Sequence, residues 1–552
     1  MSLHPHAVDP IPEQTARIAR AAFRRGNPFM RMRDEIGTLF TDEAFAPLFP
    51  ARGRPVVSPW RLALVCVMQY VESLSDRQAA EAVRARIDWK YALSLALDDP
   101  GFDASVLSEF RTRLVSGGLE QRMLDLLLEH FRAHQLLKAR GKQRTDSTHV
   151  LAAIRSVNRL ECVGETMRAA LNSLAVAAPD WLRAHSDPQW IDRYGPRVDE
   201  TRLPEKPEAR RELATAMAAD GYRLLEALSA PDAPVWLREV PAVQTLRRVW
   251  IERFFREDER VEERGDAQGR PSSAGMISSP YDPDARYATK RTTSWTGYKV
   301  HLSETCDDDL PRLITHVETA PGPTADGDAT PTIHQALAAK DLLPNLHIVD
   351  TGYLDAELLL ASRDDYGVEL LGPTRRDQRW QARAKEGFGM AAFAIDWERR
   401  RATCPRGCES IQWDERTDVR GNASIYIRFA KADCGPCPCR AQCTKAPRRS
   451  IAIRPRAQYE ALQARRAQQE TEAFAAAYAR RAGIEGTISQ GVRAFGLRRA
   501  KYIGAAKTHL QHVLTAAAID FVRVAAWLDD VPLATTRRSA FVTLMQPQPA
   551  AA

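Results

Sequence analysis

After Gly504 the apolar positions Leu510, Val513, Leu514, Ala517, Phe521, Val524 and Leu528 recur at steps of three and four, with a single step of one. That period predicts a closing amphipathic helix. The first 135 residues read as helical too. Residues 59–71 form an almost uninterrupted apolar run opened by Pro59, and Ser75 with Gln78 three positions on fits a capping box at the start of the next helix. A third helix starts near Asp103 and carries Arg111 and Arg113 near its end. Short helices of this kind suit either a helix-turn-helix reader of DNA or a plain bundle.

The pattern changes at residues 143–151. This short, β-branched run follows the breaker Gly141 and predicts a strand carrying Asp146. From about 154 to 263 the helical pattern returns, broken by prolines at 179, 188, 196, 204 and 207, and a polar, turn-rich stretch follows over 266–284. Strands are predicted at 295–303 and 312–319, a helix at 327–339, and a short apolar strand at 346–350 that ends on Asp350. Gly352 turns the chain into a helix over 355–363, and 367–371 is a further strand. The order β-β-β-α-β-α-β implies an α/β fold, a mixed sheet covered by helices, with 154–263 as an insertion between two of its strands. Residues 372–450 interrupt this pattern, and 456–480 are helical again.

Composition adds three constraints. With 552 residues, 44% apolar and 27% charged, the chain is of ordinary globular type with length for three or four domains. It has no apolar run long enough to span a bilayer and no charged-then-apolar block at its N-terminus, so a cytosolic protein without membrane attachment is the default. The net charge is +7, yet residues 445–507 hold fourteen Lys/Arg against four Glu, so the basic surplus is concentrated there. That is an electrostatic footprint for a polyanion as readily as a solvated helix face. Cys66, Cys162 and Cys306 are isolated, whereas Cys404, Cys408, Cys434, Cys437, Cys439 and Cys443 fall within forty residues. In a reducing compartment such a cluster argues for metal before disulfides. Cys434 with Cys437 makes one half of a zinc site and Cys404 with Cys408 the other, with Cys443 able to replace one of them. Six reduced thiols in a β insertion are the alternative.

The candidate chemistry rests on three acids. Asp350, at the C-terminal end of a strand, points to the crevice where α/β sheets bind ligands. Asp146 lies mid-strand, followed by Ser147 and Thr148. Tyr478, Arg481 and Glu485 are spaced by three and four, which on one helix stacks them on a single face. Singly, Asp350 reads as a turn cap and Glu485 as a structural partner of Arg481. Together, three carboxylates on three separate elements suit two Mg2+ or Mn2+ ions acting at a phosphodiester, because hard cations take oxygen ligands.

With these residues in view the sequence resembles the DDE transposases of bacterial insertion sequences, which have an N-terminal helical domain and an RNase H-like catalytic domain. The resemblance runs through Leu74 to Arg77, Phe110 to Leu114, Arg144 to His149, Asp284 to Lys290, Trp295 to His301, Asp350 to Tyr353 and Arg498 to Gly504. The family's C-terminal signature is Tyr, two residues, Arg, three residues, Glu, six residues, Lys. Tyr478, Arg481 and Glu485 match it, while the Lys position holds Val492 with Arg493 next.

The resemblance implies that Asp146, Asp350 and Glu485 form the catalytic, metal-binding triad and that Tyr478 and Arg481 contact transposon-end DNA. Arg493, Arg498, Arg499, Lys501 and Lys507 complete the expected DNA-binding set. It implies a helical DNA-end-binding domain over 1–135 and an RNase H-like domain over 136–528. Within that domain fall a helical insertion at about 155–280 and a cysteine-rich β insertion at about 372–450; a disordered tail covers 529–552. The expected partners are the terminal inverted repeats, target DNA and a second copy of the chain, in a cytoplasmic, nucleoid-associated setting. The expected cofactors are two Mg2+ or Mn2+ ions, with one structural zinc at Cys404, Cys408, Cys434, Cys437 and Cys443 as the open question. The alternative functions are a nuclease of the same fold that only hydrolyses and a catalytically idle DNA-binding regulator.

Overall fold

The computed structural model describes residues 2–532 and 540–545, apart from positions 156, 200, 202, 259, 376–378, 384–386 and 419–420. The chain divides into two compact units: residues 1–137 with 308–313 and 514–552, and residues 138–307 with 314–513.

The first unit is built on helices. Helix α1 (Pro59–Val71), with Pro at its first position, is buried along almost its whole length, as its apolar run requires. Helix α2 (Asp76–Ala85) starts with the expected capping box, in which Ser75 and Gln78 satisfy each other's backbone N–H groups. Helix α3 (Ser105–Ser116) places Leu107, Phe110 and Leu114 inward. Both arginines near its end are tied into the fold: Arg111 is buried and donates to Asp76 at 2.6 Å, and Arg113 pairs with Glu109 at 3.0 Å.

The second unit begins with strand β1 (Lys142–Leu151). The predicted insertion follows as helices α4 (Arg159–Ala177), α5 (Pro207–Ser229) and α6 (Pro241–Arg253). They enclose a core of their own around Met167, Leu224, Leu246 and Trp250. Then come β2 (Arg286–Lys290), β3 (Thr293–Thr305), β4 (Ile314–Pro321), α7 (Ala329–Ala339), β5 (Leu346–Ile348), α8 (Ala356–Tyr366) and β6 (Glu369–Leu371). β1 is antiparallel to β3 on one side and parallel to β5 on the other, and β6 is parallel to β5. The thirteen-residue β3 is paired along its other edge first by β2 and then by β4, both antiparallel. This curled mixed sheet has the strand order of an RNase H-like fold, as expected. Strand β2 is the addition. Its sequence is polar and shows no alternation, and it closes on β3 through Arg291 in the left-handed region at φ 57°.

The cysteine-rich insertion holds a hairpin, β7 (Ala394–Asp396) with β8 (Arg401–Thr403), and a three-stranded antiparallel sheet of β9 (Gln412–Thr417), β10 (Ala423–Arg428) and β11 (Ser450–Ile453). Beyond it run α9 (Arg456–Gln469), α10 (Glu472–Ala479), α11 (Ala482–Phe495) and α12 (Ala505–Leu528). The helical stretch expected over 456–480 consists of two helices, and Thr471 caps α10 by accepting from the Phe474 amide at 3.2 Å. The closing helix α12 buries the predicted stripe from Leu510 to Val524. Most of the tail from 529, expected to be disordered, lies outside the described residues.

Candidate active site

The pleat of β1 sorts its side chains. Arg144, Asp146 and Thr148 alternate onto one face, while Thr145 turns inward to Ser303 and His347, both at 2.6 Å. Arg144 is buried and pairs with Glu304, its register partner on β3, at 2.6 Å. Glu304 also accepts from Thr487 of α11 at 2.6 Å, and the Arg144 guanidinium donates to the Arg480 carbonyl. A buried ion pair two residues from Asp146 thus fastens α11 to the sheet. It also leaves Gly483 no room for a side chain, since a Cβ there would collide with the Arg144 guanidinium.

This anchoring corrects one expectation. Tyr478, Arg481 and Glu485 do not lie on one continuous helix: α10 ends at Ala479 and α11 starts at Ala482. With the Arg480 carbonyl taken by Arg144, the chain turns through short steps, Arg481 N to Tyr478 O at 2.9 Å and Ile484 N to Arg481 O at 3.1 Å. Both intervening residues keep helical dihedrals, so the Arg481–Glu485 contact survives.

Arg481 is the centre of the site. Its Nη2 meets Asp146 Oδ2 at 2.7 Å and its Nη1 meets Glu485 Oε1 at 2.8 Å, so one guanidinium bridges two of the three predicted acids. Their environments differ: the Asp146 side chain is 13% exposed and that of Glu485 63%, so only the second is free to move without losing burial. Burial pushes the Asp146 carboxyl up, against the pull of Arg481 and the Ser147 amide and with help from the charge of Asp350. Burial works against the Arg481 charge, yet Asp146, Glu485 and Asp350 hold it above its ordinary value. Burial likewise raises the Tyr478 phenol, which feels Asp350, Asp146 and Glu485 and stacks on Phe474 at 5.7 Å. All five residues of the expected site therefore share one electrostatic neighbourhood.

Asp350 follows β5 and accepts from the Gly352 amide at 2.7 Å. A Cβ on Gly352 would stand 2.9 Å from Asp350 Oδ1 and 3.0 Å from Asp326 Oδ2, so a side chain there would crowd both carboxylates. Asp326 is the residue that sequence reading missed. Its Oδ1 accepts from Ser147 at 3.0 Å and from Lys299 at 2.9 Å. Burial opposes its charge, but Lys299 and His301 pull it below the usual carboxylate range. Beneath lies a buried pair, His301 Nδ1 to the Tyr353 hydroxyl at 2.6 Å, with His301 pushed down to about 4 by burial. Asp326 sits on a single 3-10 turn (Asp326–Asp328), which has no periodicity to reveal it.

A groove of about 380 Å3 opens from Asp146 and Glu485 and is also lined by Val492, Arg493 and Arg498. Arg498 donates to Thr148 at 2.8 Å, and its segment pairs with the end of β1 through Leu151 N to Arg498 O, also 2.8 Å. Val492, at the position where lysine was expected, is a groove wall with Arg493 beside it. Arg499, Lys501 and Lys507 are exposed and do not line the groove. All six clustered cysteines line a different cavity, of about 40 Å3. Among the described residues no group of three His, Cys, Asp or Glu side chains is already placed to hold a metal ion. Nor is any helix among them long and apolar enough to cross a membrane.

A mixed sheet in this order, with Asp146 on its central strand and Asp350 just past the neighbouring one, is consistent with the RNase H-like class. Residues 403–525 match the model of a transposase DDE domain, and residues 18–113 match that of a transposase domain, DUF772. Both matches support an insertion-sequence DDE transposase, a family that suggests a nucleotidyl-transfer enzyme. The first match contains Tyr478, Arg481 and Glu485 but neither Asp146 nor Asp350. Among curated proteins none matches the chain.

Proposed function

We propose that this transposase cleaves a strand at each end of its insertion sequence and joins the freed 3′-hydroxyl to target DNA. In this reading Asp146, Asp350 and Glu485 hold two Mg2+ or Mn2+ ions. The observation that carries it is the Arg481 bridge between Asp146 and Glu485 at the mouth of an arginine-lined groove. Carboxylates brought this close need a positive charge among them. Their oxygens suit hard divalent cations, and Arg481 supplies that charge in the present arrangement. Held by Asp146, Asp350 and Glu485, such cations would supply activation of a water or 3′-hydroxyl and charge stabilisation at the leaving oxygen.

The chain's own residues supply binding and position. Arg493 and Arg498 neutralise backbone phosphates along the groove, with Arg493 standing in for the lysine that Val492 replaces. Arg481, on turning from the acids, offers a bidentate fork to a phosphate. Asp146 stays fixed by burial and by the Ser147 amide, while the exposed Glu485 adjusts. Residues 1–135 bind the end DNA, residues 136–528 perform the chemistry, and two copies act on two ends in the cytoplasm at the nucleoid.

The test is a labelled duplex carrying a transposon end, incubated with the full chain and Mn2+. Nicks bearing 3′-hydroxyls, followed by joined products, are expected. Nicks without joining would reduce the protein to a nuclease, and retention of the duplex without nicks would make it a binding regulator.

A further inference from the structure

The cysteine-rich insertion has a small core of its own, Phe393, Ala402, Ile425, Ile427, Phe429, Ile451 and Ile453, and Cys404, Cys434 and Cys443 pack against it. The thiols are brought together by tight backbone turns. The Cys404 amide donates to the Cys408 carbonyl at 2.9 Å and the Gly407 amide to the Cys404 carbonyl at 2.8 Å. Cys434 and Cys443 each end a single helical turn, Lys431–Cys434 and Arg440–Cys443. The Arg449 amide donates to Cys434 Sγ at 3.4 Å. Cys443 lies within electrostatic reach of Cys434, Cys404 and Cys437, and Cys408 within reach of Cys437 and of Cys404, with which it hydrogen-bonds. The shared cavity of about 40 Å3 exceeds the roughly 10–15 Å3 that one water needs, so it has room for a single ion.

We propose that Cys404, Cys434, Cys437 and Cys443 hold one structural zinc ion as four thiolates, with Cys408 and Cys439 outside the ligand set. These four combine a Cys-x-x-Cys half-site with the thiols seated on the core, and four is the number a closed tetrahedral site takes. Ligation draws them inward by rotation about their Cα–Cβ bonds, since they do not yet stand at ligand spacing. Four thiolates and one Zn2+ carry two net negative charges, and Arg406 and the buried Arg449, both lining the cavity, offset them. The zinc fastens an insertion whose core is too small to hold its loops alone.

The test uses the full chain, purified without chelator. Mass spectrometry should find about one zinc per chain, and X-ray absorption should find four sulfur neighbours at about 2.3 Å. Cys437→Ser and Cys443→Ser should lose most of the zinc, while Cys408→Ser and Cys439→Ser keep it. Cys434→His, which preserves a ligand, should retain it, so that loss in the serine variants is not read as mere misfolding. Less than about half an equivalent in the wild type, disulfides among these cysteines, or retention of zinc in a Cys434→Ser/Cys437→Ser double variant would overturn the proposal. None of these readouts depends on DNA cleavage.

Discussion

The sheet that carries Asp146 and the small β insertion that carries the cysteines arrange reactive side chains in opposite ways. Asp146 is placed by a ten-residue central strand, a buried Arg144–Glu304 pair and a helix fastened to both. Its charge is balanced within the protein by Arg481. The insertion has, among its described residues, seven buried apolar residues, three- to six-residue strands and six half-buried thiols. A scaffold of the first kind fixes Asp146 by burial and pairing within the fold. One of the second kind relies on the ion for its shape. Under the two proposals the acids would be groups poised for an ion, and the cysteines would be drawn into a staple by one.

That contrast can be broken in several places. The largest effect belongs to the acids. Asp146→Asn and Glu485→Gln should each reduce strand cleavage by about a thousandfold or more, and the double variant should be little worse than either, because they disable one unit. Additive losses in single-turnover assays would separate their roles. Next comes the anchor: Glu304→Ala strands the Arg144 charge in the interior and should cost about 3–5 kcal/mol, read by denaturant unfolding. A cost below about 1 kcal/mol would mean that the pair does not position α11.

Arg481→Ala removes the internal cation. It should weaken DNA-end binding, lower the salt slope by about one charge, and alter Mn2+ binding measured calorimetrically without DNA. An unchanged salt slope would confine Arg481 to supporting Glu485. The same substitution has a pH signature. Burial raises the Asp146 pKa and Arg481 lowers it, so removing Arg481 should raise it further. Mn2+ binding, which needs the carboxylate, should then fall off at a higher pH on the acid side than in the wild type. The smallest effects serve as controls. Asp355→Asn trims a helix cap, the Asp355 carboxylate accepting from Leu358 N at 2.9 Å, and should leave cleavage within about twofold.

How much of this was legible follows from where each residue sits. The helical stripe of α12, the capping box at Ser75 and the strands bearing Asp146 and leading to Asp350 were readable, because burial repeats at a fixed period. Strand β2 was not, since a polar strand paired along one edge of a long neighbour carries no alternation. The break between α10 and α11 was hidden for a different reason. It is imposed by Arg144, more than three hundred positions away in sequence, which takes a carbonyl that the helix would have used. Asp326 shares that cause: a residue on one 3-10 turn acquires its role only through Ser147, Lys299 and Gly352. Local pattern reports elements, while the assembled site depends on partners that no local pattern names.

The central claim is that Asp350 and its two partners cleave DNA, and the most direct measurement is strand nicking by purified Asp350→Asn. The change is near-isosteric, so folding and end binding should persist and can be checked on the same sample by unfolding and by retention of the labelled duplex. In Mg2+ the wild type should produce nicks with 3′-hydroxyls while the variant produces none above background. A variant that binds the end and nicks it at a rate close to wild type would contradict the assignment and leave the basic groove as a binding surface alone.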